Sequence, residues 1–171
     1  MVGGGEGGAN PSPSGFVYGN NGTGGGAAIR VPFPCAAGNV ISILVGAGGA
    51  RNATGAGNSR GGAGTGSSIS IGTRNIQANG GFYGNYDGTW SQSTFGFGNG
   101  GGASGSGGLV LYGRPFTNAG GGGNTWLGPG AAIGASAVAN TGGGGGAGFY
   151  NGTAYANQSG NGGSGCVIIE Y

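Results

Sequence analysis

Runs of glycine punctuate this sequence, and several begin where an apolar stretch ends. Residues 3–5, 24–26, 120–123 and 142–146 are unbroken glycine, and glycine supplies 53 of the 171 residues. Glycine loses more backbone freedom on ordering than any other residue, on a base of roughly 1–2 kcal/mol per residue, and gains no side-chain burial in return. The compensation open to it is close approach of backbone to backbone. A collagen triple helix needs glycine at every third position, and residues 39–45 (NVISILV) break that period. No repeat of fixed length runs through the chain. Disordered chains are charge-rich and aromatic-poor, whereas charged residues are 5% here and aromatic residues 9%. These facts favour a folded structure that depends on its glycine.

Between the glycine tracts lie short apolar runs. The densest stretch is residues 27–49, AAIRVPFPCAAGNVISILVGAGG. Ile29, Val31 and Phe33 alternate with Arg30 and Pro32, and Ile41, Ile43 and Val45 share one face of a second run. The pattern predicts a β-hairpin over about 27–45, turning at residues 34–39 where Gly38 can take a positive φ. Residues 67–78 (SSISIGTRNIQA) predict two strands, carrying Ile69/Ile71 and Asn75/Ile76, around a turn at Gly72-Thr73. Leu109-Val110-Leu111 is a further apolar triplet, and Val167-Ile168-Ile169 predicts a closing strand over about 167–171. Residues 131–139 are too short, and too interrupted by Gly134, to hold a helix. Residues 10–21 read as a loop with Phe16 and Tyr18 as anchors, and 81–97, 112–118, 126–130 and 149–159 as turns and loops rich in aromatics.

Extended segments with three residues per turn make no internal hydrogen bonds, so their N–H and C=O groups must pair with neighbours. Only glycine lets such segments pack on every side, with Cα–H···O contacts worth about 0.5–1 kcal/mol each. The expected fold is therefore a single all-β, irregular domain over residues 1–171. It combines a small antiparallel β-sheet with a bundle of polyglycine II helices and has little or no α-helix. The strands are expected at one end or flank, and the aromatic loops at the other.

The residue inventory bears on chemistry. There is no His and no Lys, and the carboxylates are Glu6, Asp87 and Glu170. Ser-His-Asp and Cys-His sites and a lysine phosphate loop are thereby excluded. A carboxylate-pair hydrolase would need two of those three acids to converge. The reading is a non-enzyme without cofactor or metal. Net charge is +2, and the arginines stand apart at 30, 51, 60, 74 and 114, so no stripe is present to track nucleic acid. No apolar run reaches the length of a membrane span, and residues 1–8 lack the basic and apolar regions of a signal peptide. G-x-G-x-x-G matches at Gly3, Gly100, Gly143 and Gly160 arise by chance in so glycine-rich a chain. The N-x-S/T sequons at Asn21, Asn52, Asn151 and Asn157 have the same origin. Cys35 and Cys166 each border an apolar run and read as small buried hydrophobes, a disulfide being open to them only in an oxidising compartment.

The aromatic loops carry the sharpest functional expectation. Tyr and Trp offer large, stiff surfaces with polar tips that stack on sugar rings or on protein. Tyr83, Tyr86, Asp87, Trp90, Tyr112, Arg114 and Trp126 are the candidate contact residues. Phe82, Phe95, Phe97, Phe116 and Phe149 read instead as cover for the ends of the bundle.

The motifs IRVPFPCAAGNVISILVGAGGA, GGAGTGSSISIG, the aromatic insert, the GGGGG run and the terminal GGSGCVIIEY resemble the glycine-rich domains of bacteriophage tail fibres. The resemblance covers most of the chain. More distantly, the chain is similar to the polyglycine tip adhesins of T-even-like phages, which present variable loops from a polyglycine II bundle. The resemblance implies a virion protein without chemistry that binds a bacterial surface receptor, protein or polysaccharide, and assembles with other virion proteins. Such domains enter their first glycine run from a longer strand, whereas only Met1-Val2 precede Gly3 here, so a partner or a further segment is expected to supply it. A homo-oligomer is left open. The alternative class is a purely structural virion protein joining or decorating tail or capsid components. Ice binding needs a flat, regular array of small residues, which the irregular spacing does not supply.

Overall fold

The computed structural model describes residues 1–10, 16–19, 21–53, 61–81, 103–104, 109–111 and 122–171. Among them there is no α-helix. Nine short strands are present: β1 (Phe16–Tyr18), β2 (Ala27–Ile29), β3 (Ser42–Leu44), β4 (Ser67–Ile71), β5 (Arg74–Ala78), β6 (Ala103–Ser104), β7 (Leu109–Leu111), β8 (Phe149–Asn151) and β9 (Tyr155–Asn157). They form three small antiparallel sheets in the orders β1-β8-β9, β2-β7 and β3-β4-β5-β6.

The sheets hang on a hydrogen-bonded array whose axis is residues 2–10. The N–H groups of this segment donate to three neighbours in rotation. Residues 2, 5 and 8 donate to the carbonyls of Cys166, Gly163 and Gly160, at 2.7, 2.8 and 2.9 Å. Residues 3 and 6 donate to Gly26 and Thr23, and residues 4 and 7 to Thr65 and Gly62, all at 2.9–3.0 Å. In each set the donor advances by three while the acceptor retreats by three, so these neighbours run antiparallel. The carbonyls look elsewhere. Those of Gly5 and Gly8 accept from Gly49 and Asn52, and those of Glu6 and Ala9 from Gly145 and Gly148, both pairs running parallel to the axis. The Gly4 carbonyl accepts from Gly81 at 2.7 Å. Residues 2–10 thus bond to six surrounding stretches of chain, with a period of three rather than the two of a strand or the 3.6 of an α-helix.

Residues 142–148 repeat the arrangement. Gly144 donates to Gly123, Gly145 to Glu6 and Gly146 to Ala135, while the carbonyls of residues 142–145 accept from Gly25, Gly163, Ala131 and Gly22. Glycine is needed here for space. A Cβ on Gly4 would stand 2.6 Å from the Ala47 carbonyl carbon, and one on Gly144 would stand 2.5 Å from that of Gly22. Positive φ explains few of these residues, since among the described glycines only Gly38, Gly72, Gly134, Gly142 and Gly152 have it.

The apolar core is slight. Val2 and Ile76 are the buried hydrophobic residues larger than alanine among the described residues. Buried polar side chains stitch the array instead. Ser67 donates to the Val2 carbonyl at 2.6 Å and accepts from the Gly46 N–H at 2.9 Å, tying β4 to the axis. Asn10 donates to Ala53 and Gln158 and accepts from the Ser159 N–H. Glu6, only 4% exposed, accepts from the Thr23 N–H at 3.1 Å and from its hydroxyl at 2.9 Å.

β4, β5 and the turn at Gly72-Thr73 lie where the sequence places them. The arms expected to form a hairpin over 27–45 do not pair with each other. Ala27–Ile29 pairs with Leu109–Leu111, and Ser42–Leu44 pairs with β4. Arg30 takes φ 49° directly after β2 and turns the chain away, and Pro32 and Pro34 have no N–H to give a ladder. The strand expected at 167–171 is reduced to one bridge between Cys166 and Val2. Cys35 is exposed rather than buried, and both cysteines are free. Residues 149–157 form a hairpin instead of a loop, with the Tyr150 and Tyr155 rings edge-to-face at 5.3 Å. Nor do the strands gather at one end. The β1-β8-β9 sheet adjoins Ala9 and Asn10, through Gly148 donating to Ala9 and Asn10 accepting from Ser159, whereas β2 and β4 adjoin Val2.

Candidate binding surface

Of the seven candidate contact residues, Tyr83, Tyr86, Asp87, Trp90, Tyr112 and Arg114 lie outside the described residues. So do Phe82, Phe95, Phe97 and Phe116, while Phe149 is half-buried in β8. Trp126 is described, and it is 60% exposed.

Trp126 and Leu127 stand at the tip of a turn that backbone and side chains both close. The Thr125 N–H donates to the Gly128 carbonyl at 2.9 Å, and the Asn124 side-chain oxygen accepts from the Gly130 N–H at 2.8 Å. The Thr125 hydroxyl lies against the carbonyls of Gly128 and Thr141. Thr141 in turn donates to the Val138 carbonyl at 2.7 Å and accepts from the Gly143 N–H. Asn140, at φ 63°, is held by Ser164 on its N–H and its side-chain oxygen. The two turns are therefore coupled, and they continue into the array through Gly123 donating to Gly22 and Gly142 donating to Ser164. Trp126, Leu127 and Val138 remain exposed on this frame. A sequence reading finds Trp126 and its Gly128-Pro129 turn. It misses Leu127 and Val138, because their proximity depends on the Thr125–Thr141 contact between distant turns.

A second apolar surface lies at the same end. Val40, Ile41, Ile43, Leu44 and Val45 are all exposed, as are Ile168, Ile169 and Tyr171. Both stretches leave the array side by side, since Gly46 accepts from Gly165 and Gly49 from Gly162. Trp126 thus shares its end of the molecule with apolar strands, contrary to the expected division between a strand end and an aromatic end.

Glu6 is buried against Thr23, and Glu170 is exposed in the terminal segment. Arg30, Arg51 and Arg74 are exposed, with the Arg51 guanidinium donating to the Ser159 carbonyl at 3.4 Å. Among the described residues, no group of three His, Cys, Asp or Glu side chains could hold a metal ion. No described helix is long and apolar enough to cross a membrane. A groove of about 460 Å³ runs between residues 48–50, residues 136, 137 and 139, and residues 161–164, lined by small neutral side chains. Its polar members are already engaged, the Ser136 hydroxyl by the Asn161 N–H and the Ser164 hydroxyl by Asn140. Neither the models of known protein families nor the curated proteins include a match to this chain.

Proposed function

We propose that this chain is a non-enzymatic receptor-binding domain of a bacteriophage tail fibre, in which a polyglycine II bundle presents aromatic turns to a bacterial surface. The rotation of donors with period three along residues 2–10, with six bonded neighbours, supports the bundle reading. It accounts for glycine on every side of the axis and for the scarcity of apolar core. The observation that carries the contact reading is Trp126, exposed on a turn whose geometry is fixed before any partner arrives. A pre-ordered aromatic loses little freedom on binding, which is why Trp is favoured at contact centres.

The test is binding of the labelled protein to a panel of bacteria, with Trp126→Ala and a Tyr86→Ala/Trp90→Ala variant alongside. Saturable binding to some strains is expected, weakened more than about tenfold by Trp126→Ala with unfolding unchanged. Binding kept by that variant but lost in the second moves the contact surface to residues 81–97. Absence of binding to every strain overturns the adhesin reading. The alternative, a structural virion protein, draws support from the exposed apolar side chains of residues 40–45.

A further inference from the structure

β3 is an edge strand with unusual exposure. It closes one side of the β3-β4-β5-β6 sheet, and its outer edge has no partner among the described residues. An unpaired edge is a template for another strand, and soluble proteins blunt such edges with charge, proline or a bulge. Residues 40–45, VISILV, hold none of these. Both faces of the strand are apolar and exposed, with Ile43 on one and Leu44 on the other.

The Ile43 face is not isolated. Ile43 is paired with Ile69 on β4, and Ile69 with Ile76 on β5, so three isoleucines form a row across the sheet. Exposure falls along the row, from 49% at Ile43 to 5% at Ile76. The row is covered at its inner end and open at the edge, as a sheet truncated in mid-course would be.

We infer that a second copy of this chain completes it, with β3 pairing antiparallel to β3 of the partner about a two-fold axis near Ile43. The arrangement places Ile43 opposite its own symmetry mate and continues the isoleucine row without a break from one sheet into the other. Apolar strand pairs of this kind are favourable, and this one brings no like charges face to face along residues 40–45. Beyond β3 itself, Val40, Ile41, Val45, Ile168, Ile169 and Tyr171 are also exposed, so apolar side chains flank the proposed strand pair. The terminal segment leaves the array beside residue 46 and so borders the same surface. This inference is independent of receptor binding.

Sedimentation equilibrium of the full chain tests it. The wild type is expected to show twice the chain mass and to dissociate on dilution. Ile43→Lys sets two like charges opposite each other on the axis, and is expected to raise the dissociation constant at least about tenfold while leaving the circular dichroism spectrum unchanged. In a Cys35→Ser/Cys166→Ser background, Ile43→Cys is expected to cross-link into dimers far faster than Thr153→Cys, an exposed control in the turn between β8 and β9. A monomeric wild type, a mass of three or more copies, an Ile43→Lys protein that stays dimeric, or equal cross-linking of the two cysteine variants would each overturn the inference.

Discussion

Gly5 is buried on the axis of the array, and replacing it with alanine isolates the role of glycine. Its N–H donates to the Gly163 carbonyl and its own carbonyl accepts from the Gly49 N–H, both at 2.8 Å. Its φ is not positive, so alanine meets no backbone penalty there. The difficulty is steric. A Cβ would stand 2.5 Å from the Gly143 carbonyl carbon and nearer still to the oxygen. To reach ordinary contact, residues 142–144 must withdraw by about 1 Å. The Gly142, Gly143 and Gly144 carbonyls accept at 2.9, 2.8 and 3.0 Å from Gly25, Gly163 and Ala131, so that withdrawal stretches all three bonds beyond useful length. At a net value of about 1 kcal/mol each, the loss is about 3 kcal/mol. Alanine stiffens the unfolded chain and returns about 0.4–1 kcal/mol. A net destabilisation of about 2–3 kcal/mol is expected, which for a chain of this size lowers Tm by roughly 4–12 °C. The control is Gly62→Ala, at an exposed position where the nearest atom to a new Cβ is the Ala50 nitrogen at 3.2 Å. Its effect is expected within about 0.5 kcal/mol of zero. Urea unfolding followed by tryptophan fluorescence measures both. Equal stability of the two variants would refute the claim that close backbone approach is what demands glycine.

Two further substitutions test the buried polar stitches. Ser67→Ala leaves the Gly46 N–H and the Val2 carbonyl without their side-chain partner, and is expected to cost about 1–3 kcal/mol in the same unfolding assay. Thr23→Val keeps the shape of the side chain but removes the hydroxyl donated to the buried Glu6 carboxylate. A loss of about 1.5–3 kcal/mol is expected by calorimetry, and an unchanged midpoint would show that this bond adds nothing to stability.

What the sequence determined by itself was local. β4, β5 and their turn were legible because alternation, a Gly-Thr reversal and the pairing partner all fall within residues 67–78. The lack of a helix over 131–139 followed from length and Gly134. The dependence on glycine followed from composition alone. Which strands pair was a property of the folded array. Alternation marks a strand but carries no address for its partner, so the two arms of residues 27–45 looked like a hairpin. The array instead delivers Ala27–Ile29 to Leu109–Leu111 and Ser42–Leu44 to β4. Burial was illegible for the same reason. The glycine run around Glu6 carries no sign of its surroundings, yet its position on the axis buries it and its carboxylate accepts from Thr23. Conversely, the apolar run 40–45, expected as the second arm of the hairpin, is left exposed by the fold. Close packing of backbone on backbone fills the described interior largely with glycine, which leaves Val2 and Ile76 as the buried apolar side chains larger than alanine among the described residues.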